Sequence, residues 1–436
     1  MKYNDLKKIR MFLLLFLLSL LLYTDNIFAG RITVIEVEKV INPVVAEFIS
    51  QSIDRSVKDE DICFIIRLDT PGGLDSSMRD IAKKILNSPV PIVVYVSPSG
   101  ARAASAGVII TMAANIAAMA PGTNIGAAHP VAMGQTKMDE TMSEKVENDA
   151  AAYIESIAHK RGRNAKWAVK AVRESASITE KEALKKNVID IIATNIDDLL
   201  RNIDGREVET PQGKKIILTK NVDVSYKDMA VRQKILYVIS RPEIALYLLM
   251  LGLAGLYFEL SHPGVIFPGV IGAICLILAF YSLQTLPTNY AGILLILLSL
   301  ILFIAEIKVT SYGLLSLGGV VSLVLGSLLL FDSPIPYLRP SLYTIGYTVL
   351  LTSFFFLTIV ALAVRAYRSK PTTGKEGLVG LEGEAVSRIS PYGKIFAHGE
   401  YWNAYSDTPV EKGERVKIIE VRDLKLRVEK IEKPQF

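Results

Sequence analysis

One serine, Ser105, stands among alanines and glycines in the stretch SGARAASAGVII, residues 99–110. Small neighbours leave the space around a hydroxyl open, and a serine hydroxyl attacks a substrate carbonyl once a base removes its proton. Serine is also a preferred N-cap residue, so the same position can simply begin a helix. The residue types therefore leave two alternatives for Ser105, a nucleophile and a helix cap.

A glycine turn, DTPGG at residues 69–73, supplies a second group that acyl transfer needs. Its glycines carry no side chain, so their backbone can approach a ligand closely. If a helix begins at Ser105, the N–H of Ala106 lies at the positive end of the helix dipole. We therefore predict an oxyanion hole formed by the amides of Gly73 and Ala106, with Gly72 lining the substrate. Asp69 is expected to stabilise the glycine turn.

The base that activates Ser105 is not decided by spacing. His129, in GAAHPV, and Lys145, near the start of a long helical segment, both follow the serine, and Lys137 is a neighbouring lysine. A lysine accepts a proton only in its neutral form, which requires a desolvated pocket. His129 is alternatively a structural or substrate-lining residue.

Alternating strand and helix patterns surround these stretches. RITVIEVEKV, DICFIIRLDT and VPIVVYVS predict strands, and helical spacing follows each of them, at residues 41–59, 73–88 and 103–116. Such alternation predicts an α/β domain with a mostly parallel sheet. Ligands bind at the loops that follow parallel strands, which is where DTPGG and Ser105 fall.

Two apolar regions raise the mean hydropathy to +0.34. Residues 1–29 have the basic start, apolar centre and small-residue end of a secretory signal peptide, with an uncleaved anchor helix as the alternative. Residues 243–364 contain four predicted spans, at 265–283, 290–305, 311–331 and 341–364. A fifth stretch, 244–258, is short for a crossing and is expected to be tilted or re-entrant. Five crossings place residues 30–230 outside the cytoplasm and the C-terminus inside it.

The last region, residues 374–434, has short alternating runs separated by glycine turns, which predicts a small β-barrel. Such barrels often bind nucleic acid through aromatic side chains. Here, acidic residues surround the aromatic ones, which favours a protein-interaction role. The residues concerned are Tyr401, Trp402 and Tyr405 beside Glu400, Asp407 and Glu411.

Composition argues against several other classes. The net charge of +5 is spread along the chain, which gives nucleic-acid binding little support. The four histidines are scattered, so no metal site is expected, and we expect no cofactor. Of the two cysteines, Cys275 falls inside a predicted span, so a disulfide with Cys63 is not expected.

The ordered set DTPGG, SGARAASAG, MAPGTNIGAAHPV, SITEKEALKKNVIDIIA and FELSHPGVIFPGVIGAI resembles the membrane-bound serine proteases of the nodulation efficiency protein D (NfeD) family. The resemblance covers nearly the whole chain past residue 30. It implies a ClpP/crotonase-like α/β protease domain at 30–230, an α-helical transmembrane bundle of four to five helices at 243–364, and an OB-type domain at 374–434.

The resemblance also implies a Ser-Lys dyad, which falls on Ser105 and Lys145, with oxyanion amides on Gly73 and Ala106. His129 lies about one residue away from the register of the Clp-type triad histidine and adjoins a proline. The implied partner is a stomatin-, slipin- or flotillin-like membrane protein, and we expect a homo-oligomer.

Two other functions remain open. One is a catalytically silent membrane scaffold. The other is an acyl-CoA enzyme of the crotonase type, against which the expected export from the cytoplasm argues.

Overall fold

The computed structural model describes residues 30–131, 140–261, 264, 266–286, 288–309, 311–331, 333, 338–368 and 375–431. The predicted signal peptide and Lys137 lie outside these residues. The chain divides into two compact units, one of Met1–Ile304 with Leu314–Ser353 and one of Ala305–Gly313 with Phe354–Phe436.

An α/β domain begins the first unit, as the alternating sequence pattern predicted. Its strands are β1 (Arg31–Glu38), β2 (Cys63–Asp69), β3 (Ile92–Val96), β4 (Arg102–Ala104), β5 (Ile116–Met119), β6 (Asn124–Gly126), β7 (Ser177–Thr179), β8 (Ile191–Ile192), β9 (Glu207–Thr210), β10 (Gly213–Ile216) and β11 (Asp223–Lys227). Its helices are α1 (Pro43–Lys58), α2 (Asp75–Leu86), α3 (Ala106–Ala113), α4 (Glu140–Lys160), α5 (Ala165–Arg173), α6 (Glu180–Lys185), α7 (Ile196–Ile203) and α8 (Val231–Ile239).

Six parallel strands form the central sheet, in the order β11-β1-β2-β3-β5-β8. Successive side chains of a strand point to opposite faces. In β1, Ile35 and Val37 join the apolar core that contains residues of α1 to α5, whereas Ile32 and Val34 join a core with residues of α7. Because both faces are covered, the strands are continuous apolar runs. The predicted α/β class is therefore confirmed.

A three-stranded sheet, β4-β6-β7, lies beyond the end of β2. In it, β4 and β6 are parallel and β7 is antiparallel to β6. The sequence analysis did not predict β4, a three-residue strand that comes directly before Ser105. This small sheet fixes the backbone on the N-terminal side of the serine.

Five apolar helices follow the α/β domain: α9 (Pro242–Ser261), α10 (Ile266–Thr285), α11 (Tyr290–Lys308), α12 (Leu314–Leu330) and α13 (Leu342–Arg368). Among these described helices, all except α12 are long and apolar enough to span a membrane. Two expectations change. The stretch 244–258 belongs to a 20-residue helix, because residues 242–243 and 259–261 continue it. The predicted span 311–331 shortens to 17 residues, because positive φ angles at Tyr312 (55°) and Gly313 (95°) delay the helix start.

Small residues bring α11 and α12 close together. Ser322 donates a hydrogen bond to the Leu295 carbonyl (2.8 Å), and a Cβ on Gly326 would lie 2.9 Å from the Ile296 backbone nitrogen. Close backbone approach of this kind stabilises helix pairs in lipid. The four-residue spacing of Ser322 and Gly326 in the sequence therefore marks a helix contact.

A closed barrel ends the second unit, with strands in the order β12-β13-β14-β16-β15. The elements are α14 (Lys375–Leu378), β12 (Glu382–Ala385), β13 (Tyr392–Ala397), β14 (Glu400–Tyr405), β15 (Arg415–Arg422) and β16 (Lys425–Lys430). Alternate strand residues fill its apolar core. The predicted small β-barrel is confirmed, and it has five strands.

Candidate active site

Ser105 occupies the N-cap position of α3 in a backbone conformation that caps do not adopt. Its φ is 52° and its ψ −113°, and its side chain makes no capping hydrogen bond. Positive φ in a residue with a Cβ costs about 1–3 kcal/mol and persists only where the surroundings enforce it. Such strain in a half-buried serine is typical of functional sites.

The caps of other helices in the same domain provide an internal comparison. Asn42, Asn164 and Asn195 have φ angles of −123°, −71° and −157°, and each side chain accepts a hydrogen bond from a backbone N–H three residues on. Ser105 shares neither property. The helix-cap explanation is therefore wrong for Ser105.

The glycine loop after β2 is hydrogen-bonded to the strand that precedes Ser105. The Thr70 N–H donates to the Arg102 carbonyl (2.8 Å), and the Ala104 N–H donates to the Thr70 carbonyl (3.1 Å). The Asp69 carboxylate accepts the Arg102 N–H at 3.0 Å, so it connects the two loops and does not only stabilise its own turn. The structure thus brings the two predicted loops together.

Thr70 is a residue that the sequence analysis missed. Its side chain is fully buried, and its hydroxyl accepts the Gly72 N–H at 3.0 Å and lies 3.1 Å from the Gly72 carbonyl. Its methyl group packs against Gly107, where an added Cβ would lie 2.7 Å from Thr70 Cγ2. Thr70 therefore sets the distance between the glycine loop and the first turn of α3.

The two predicted oxyanion amides are free of partners within the described chain. Ala106 is the first residue of α3, where helix geometry leaves the N–H without an acceptor. The Gly73 N–H also donates no hydrogen bond among the described residues. A Cβ on Gly73 would lie 2.0 Å from the Ile41 carbonyl oxygen, so only glycine fits. Gly72, by contrast, is buried and uses both its N–H and its carbonyl in bonds to the protein.

Lys145 lies in the first half of α4, and its side chain is exposed. Among the residues that the structure describes, it makes no hydrogen bond or ion pair, so it does not hydrogen-bond to Ser105. One turn further on, Asp149 pairs with Arg79 of α2, whose guanidinium lies 4.4 Å from the ring centre of Tyr153. This contact fastens α4 to the helix that follows the glycine loop.

His129 is half-buried, three residues after Gly126, whose carbonyl accepts the Ser105 N–H at 3.2 Å. Its Nδ1 lies 2.9 Å from the Val172 carbonyl. A carbonyl only accepts, so Nδ1 carries the proton and donates it. The triad histidine of serine proteases instead donates to a buried carboxylate, so this contact is that of a histidine held by backbone.

Two arginines stabilise the other end of α3. Arg163 donates to the carbonyls of Met112 (2.7 Å) and Ala114 (2.8 Å), and it pairs with Asp190 at 2.6 Å. Arg161 donates to the Ala113 carbonyl at 2.8 Å, and burial, with the charge of Arg163, lowers the pKa of Arg161 to about 10. Cations at a helix C-terminus stabilise it. These residues hold the helix that carries Ser105, and the sequence analysis did not identify them.

Three family models match consecutive parts of the chain. They are the NfeD1b N-terminal domain at residues 31–199, the NfeD integral membrane domain at 243–362, and the NfeD-like C-terminal, partner-binding domain at 375–430. The three matched ranges correspond to the α/β domain, the apolar helices and the barrel, in that order.

Two proteins are similar to the chain over most of its length, and a solved structure is similar over about half of it. The membrane-bound protease PH1510 of Pyrococcus horikoshii is 36% identical, with 85% of this chain and 87% of that protein covered. The membrane protein NfeD1b of Bacillus subtilis is 29% identical, with 96% and 97% covered. A solved structure described as the 1510-N membrane protease specific for a stomatin homolog, from Pyrococcus horikoshii, is 31% identical, with 48% of this chain and 98% of that chain covered and a TM-score of 0.42. The chain belongs to the NfeD family, as a membrane protein with an α/β domain ahead of its membrane helices.

Proposed function

We propose that the protein is a membrane-bound serine endopeptidase with Ser105 as its nucleophile. One observation carries the proposal: an uncapped, strained serine begins a buried helix directly beside a glycine loop with a free amide. Attack by Ser105 Oγ on a peptide carbonyl produces an oxyanion, which the N–H groups of Gly73 and Ala106 stabilise. The similarity to a membrane-bound protease supports a polypeptide as the substrate.

Lys145 is the proposed base. It takes the hydroxyl proton of Ser105 and returns it to the leaving amine. Because the Lys145 side chain is exposed, this role requires that another group bind over the amine and exclude water from it. A bound polypeptide or a second copy of the chain supplies that group, which is consistent with the homo-oligomer that we propose.

The proposed substrates are hydrophobic or membrane-associated polypeptides, and the proposed partner is a stomatin-, slipin- or flotillin-like protein. The specificity of the Pyrococcus protease for a stomatin homologue supports this choice. The barrel matches a partner-binding domain and exposes a pair of aromatic side chains, Phe396 and Tyr401, with ring centres 5.1 Å apart. We propose this pair as a contact for the partner.

The α/β domain is proposed to lie outside the cytoplasm and the barrel inside it. Four described helices are long enough to cross a membrane, and the shorter Leu314–Leu330 supplies the fifth crossing that opposite locations require. The predicted signal peptide and the basic residues that follow the predicted span 341–364, Arg365, Arg368 and Lys370, support the same orientation.

Labelling with a fluorophosphonate, followed by peptide mapping, tests the nucleophile. We expect label on Ser105 of the purified full-length protein, and neither label nor peptide hydrolysis in Ser105→Ala. Label on another serine, or none, contradicts the proposal.

Two further variants test the base. Lys145→Ala should lose proteolysis, whereas His129→Ala should keep most of it. An inactive His129→Ala together with an active Lys145→Ala assigns the base to the histidine.

A catalytically silent scaffold is the second candidate, and the exposure of Lys145 favours it. A scaffold binds its membrane partner but neither cleaves peptides nor reacts with the fluorophosphonate. Unchanged partner binding by Ser105→Ala, together with an unreactive wild type, would support this candidate.

A further inference from the structure

A cavity of about 250 Å³ lies where the α/β domain meets the membrane helices, within the first unit. Val40, Asn42 and Leu74 form its wall on the side of the α/β domain. The membrane side is formed by the residues between α8 and α9, including Ser240, and by the end of α10, including Thr285. Helix α9 thus begins at this cavity, and helix α10 ends at it. We call it the junction cavity.

The junction cavity is continuous with the proposed oxyanion loop. Leu74 directly follows Gly73, and its N–H donates to the Ile41 carbonyl at 2.8 Å. The Ile41 N–H donates to the Gly72 carbonyl at 2.9 Å. Because these bonds join the wall and the loop, the cavity lies directly beside the proposed oxyanion site.

Helix α8 fastens the two sides of the junction cavity together. Its Gln233 donates to Gln51 of α1 at 3.1 Å, and its Tyr237 packs against the main core of the α/β domain. At its end, the Ile239 carbonyl accepts the Ser282 hydroxyl of α10 at 2.7 Å. The walls of the cavity are therefore held together by hydrogen bonds and packing within the first unit.

One polar group in the junction cavity lacks a partner. Ser240 is 4% exposed, and its Oγ makes no hydrogen bond among the described residues. A buried hydroxyl without a partner costs free energy, and a hydrogen bond from a bound ligand would offset that cost. A peptide group offers both a donor and an acceptor to this hydroxyl.

The other lining groups fit a polypeptide better than a lipid. Apolar side chains of Leu74, Tyr237 and Leu286 stand beside polar ones, whereas an acyl chain requires an apolar surface. The cation in the lining, Arg241, is paired with Glu243 at 3.7 Å, so it is not free for a phosphate headgroup. The volume is below the roughly 300–1,000 Å³ of pockets that enclose whole small ligands. It suits one or two residues of a longer chain.

We propose that the junction cavity is a substrate subsite, which holds one or two apolar residues of an extended polypeptide between its membrane segment and the bond that Ser105 attacks. This inference rests on the proposed peptidase function. It places the scissile bond a short distance outside the bilayer, and it assigns Ser240 the hydrogen bond to the substrate main chain.

Filling the cavity tests the proposal. The tethered probe is a polypeptide with a Leu/Ala span of about 20 residues and a short tail of alternating apolar and polar residues, held with the full-length enzyme in phosphatidylcholine vesicles. The free probe keeps the scissile bond but lacks both the span and the apolar residues that the junction cavity would hold. We expect Ser240→Trp to lower kcat/KM for the tethered probe at least 10-fold, by the loss of the subsite, and to leave hydrolysis of the free probe unchanged.

Val238→Trp is the matched control, because it adds the same bulk to α8 at a side chain that is 47% exposed and does not line the cavity. It should change neither rate. If Ser240→Trp does not fold, Thr285→Phe fills the same cavity from α10. Ser240→Ala should slow only the tethered probe, by about 2–10-fold, as expected for one neutral hydrogen bond.

The outcomes separate the two proposals. Equal losses for both probes, or no loss for either, overturn the subsite while fluorophosphonate labelling of Ser105 persists. A wild type that neither reacts with the fluorophosphonate nor cleaves either probe refutes the peptidase function, and the subsite with it.

Discussion

Replacing Ser105 by glycine should stabilise the α/β domain while abolishing activity. The serine holds a φ of 52° and a ψ of −113°, a conformation that glycine adopts without steric cost. Relief of this strain is worth about 1–3 kcal/mol. The greater freedom of glycine in the unfolded chain offsets roughly 0.5–1 kcal/mol of it. We expect a net gain of about 1 kcal/mol in the free energy of unfolding.

Calorimetry of the full-length protein in detergent measures this gain as a rise in the midpoint of the α/β-domain transition. For a domain of about 200 residues, 1 kcal/mol corresponds to roughly 2–4 °C. Ser105→Ala retains a Cβ and hence the strain, so its midpoint should stay within about 1 °C of the wild type. Both variants should be inactive, because both lack the hydroxyl.

Ala104→Gly is the control for the general effect of glycine, since Ala104 belongs to strand β4. It should lower the free energy of unfolding by about 0.5–1 kcal/mol. A Ser105→Gly midpoint that falls as far as that of Ala104→Gly would refute the reasoning, because the positive φ would then store no strain. An active Ser105→Gly variant would refute the assignment of the nucleophile.

Three further predictions follow from the geometry. Gly73→Ala should reduce proteolysis on the order of 100-fold, the effect of losing one oxyanion donor, because its Cβ would lie 2.0 Å from the Ile41 carbonyl; wild-type kinetics would show that the loop tolerates a side chain. Arg163→Ala should lower the free energy of unfolding by about 3–5 kcal/mol, since its buried side chain pairs with a carboxylate at 2.6 Å; a denaturation midpoint like that of the wild type would contradict this. Reporter fusions at Lys220 and Lys430 should report opposite compartments, and the same compartment for both would mean an even number of crossings.

The order of strands and helices, and the meeting of the two loops, could be predicted from the sequence. Buried parallel strands are apolar along their length, and their carboxyl ends share one edge of the sheet. The bond from Arg102 to Asp69 and those from Arg163 to α3 were not predicted. They join residues about 30 to 50 positions apart that have no local pattern. Likewise, the φ of Ser105 depends on β4 and on the Gly126 carbonyl, which no local propensity encodes.

The pairing of β1 with β11 has a consequence for the order of folding. Arg31 of the first strand lies opposite Asp223 of the last, so one edge of β1 stays unpaired until residue 227 has been synthesised. Open strand edges invite wrong pairing, and pairings between distant residues form slowly. Because β11 leads directly into α8 and the membrane helices, the strand that completes the sheet is synthesised just before the first membrane helix. The complete sheet and the membrane attachment therefore arise at nearly the same moment of synthesis, which shortens the time in which a finished α/β domain exists untethered.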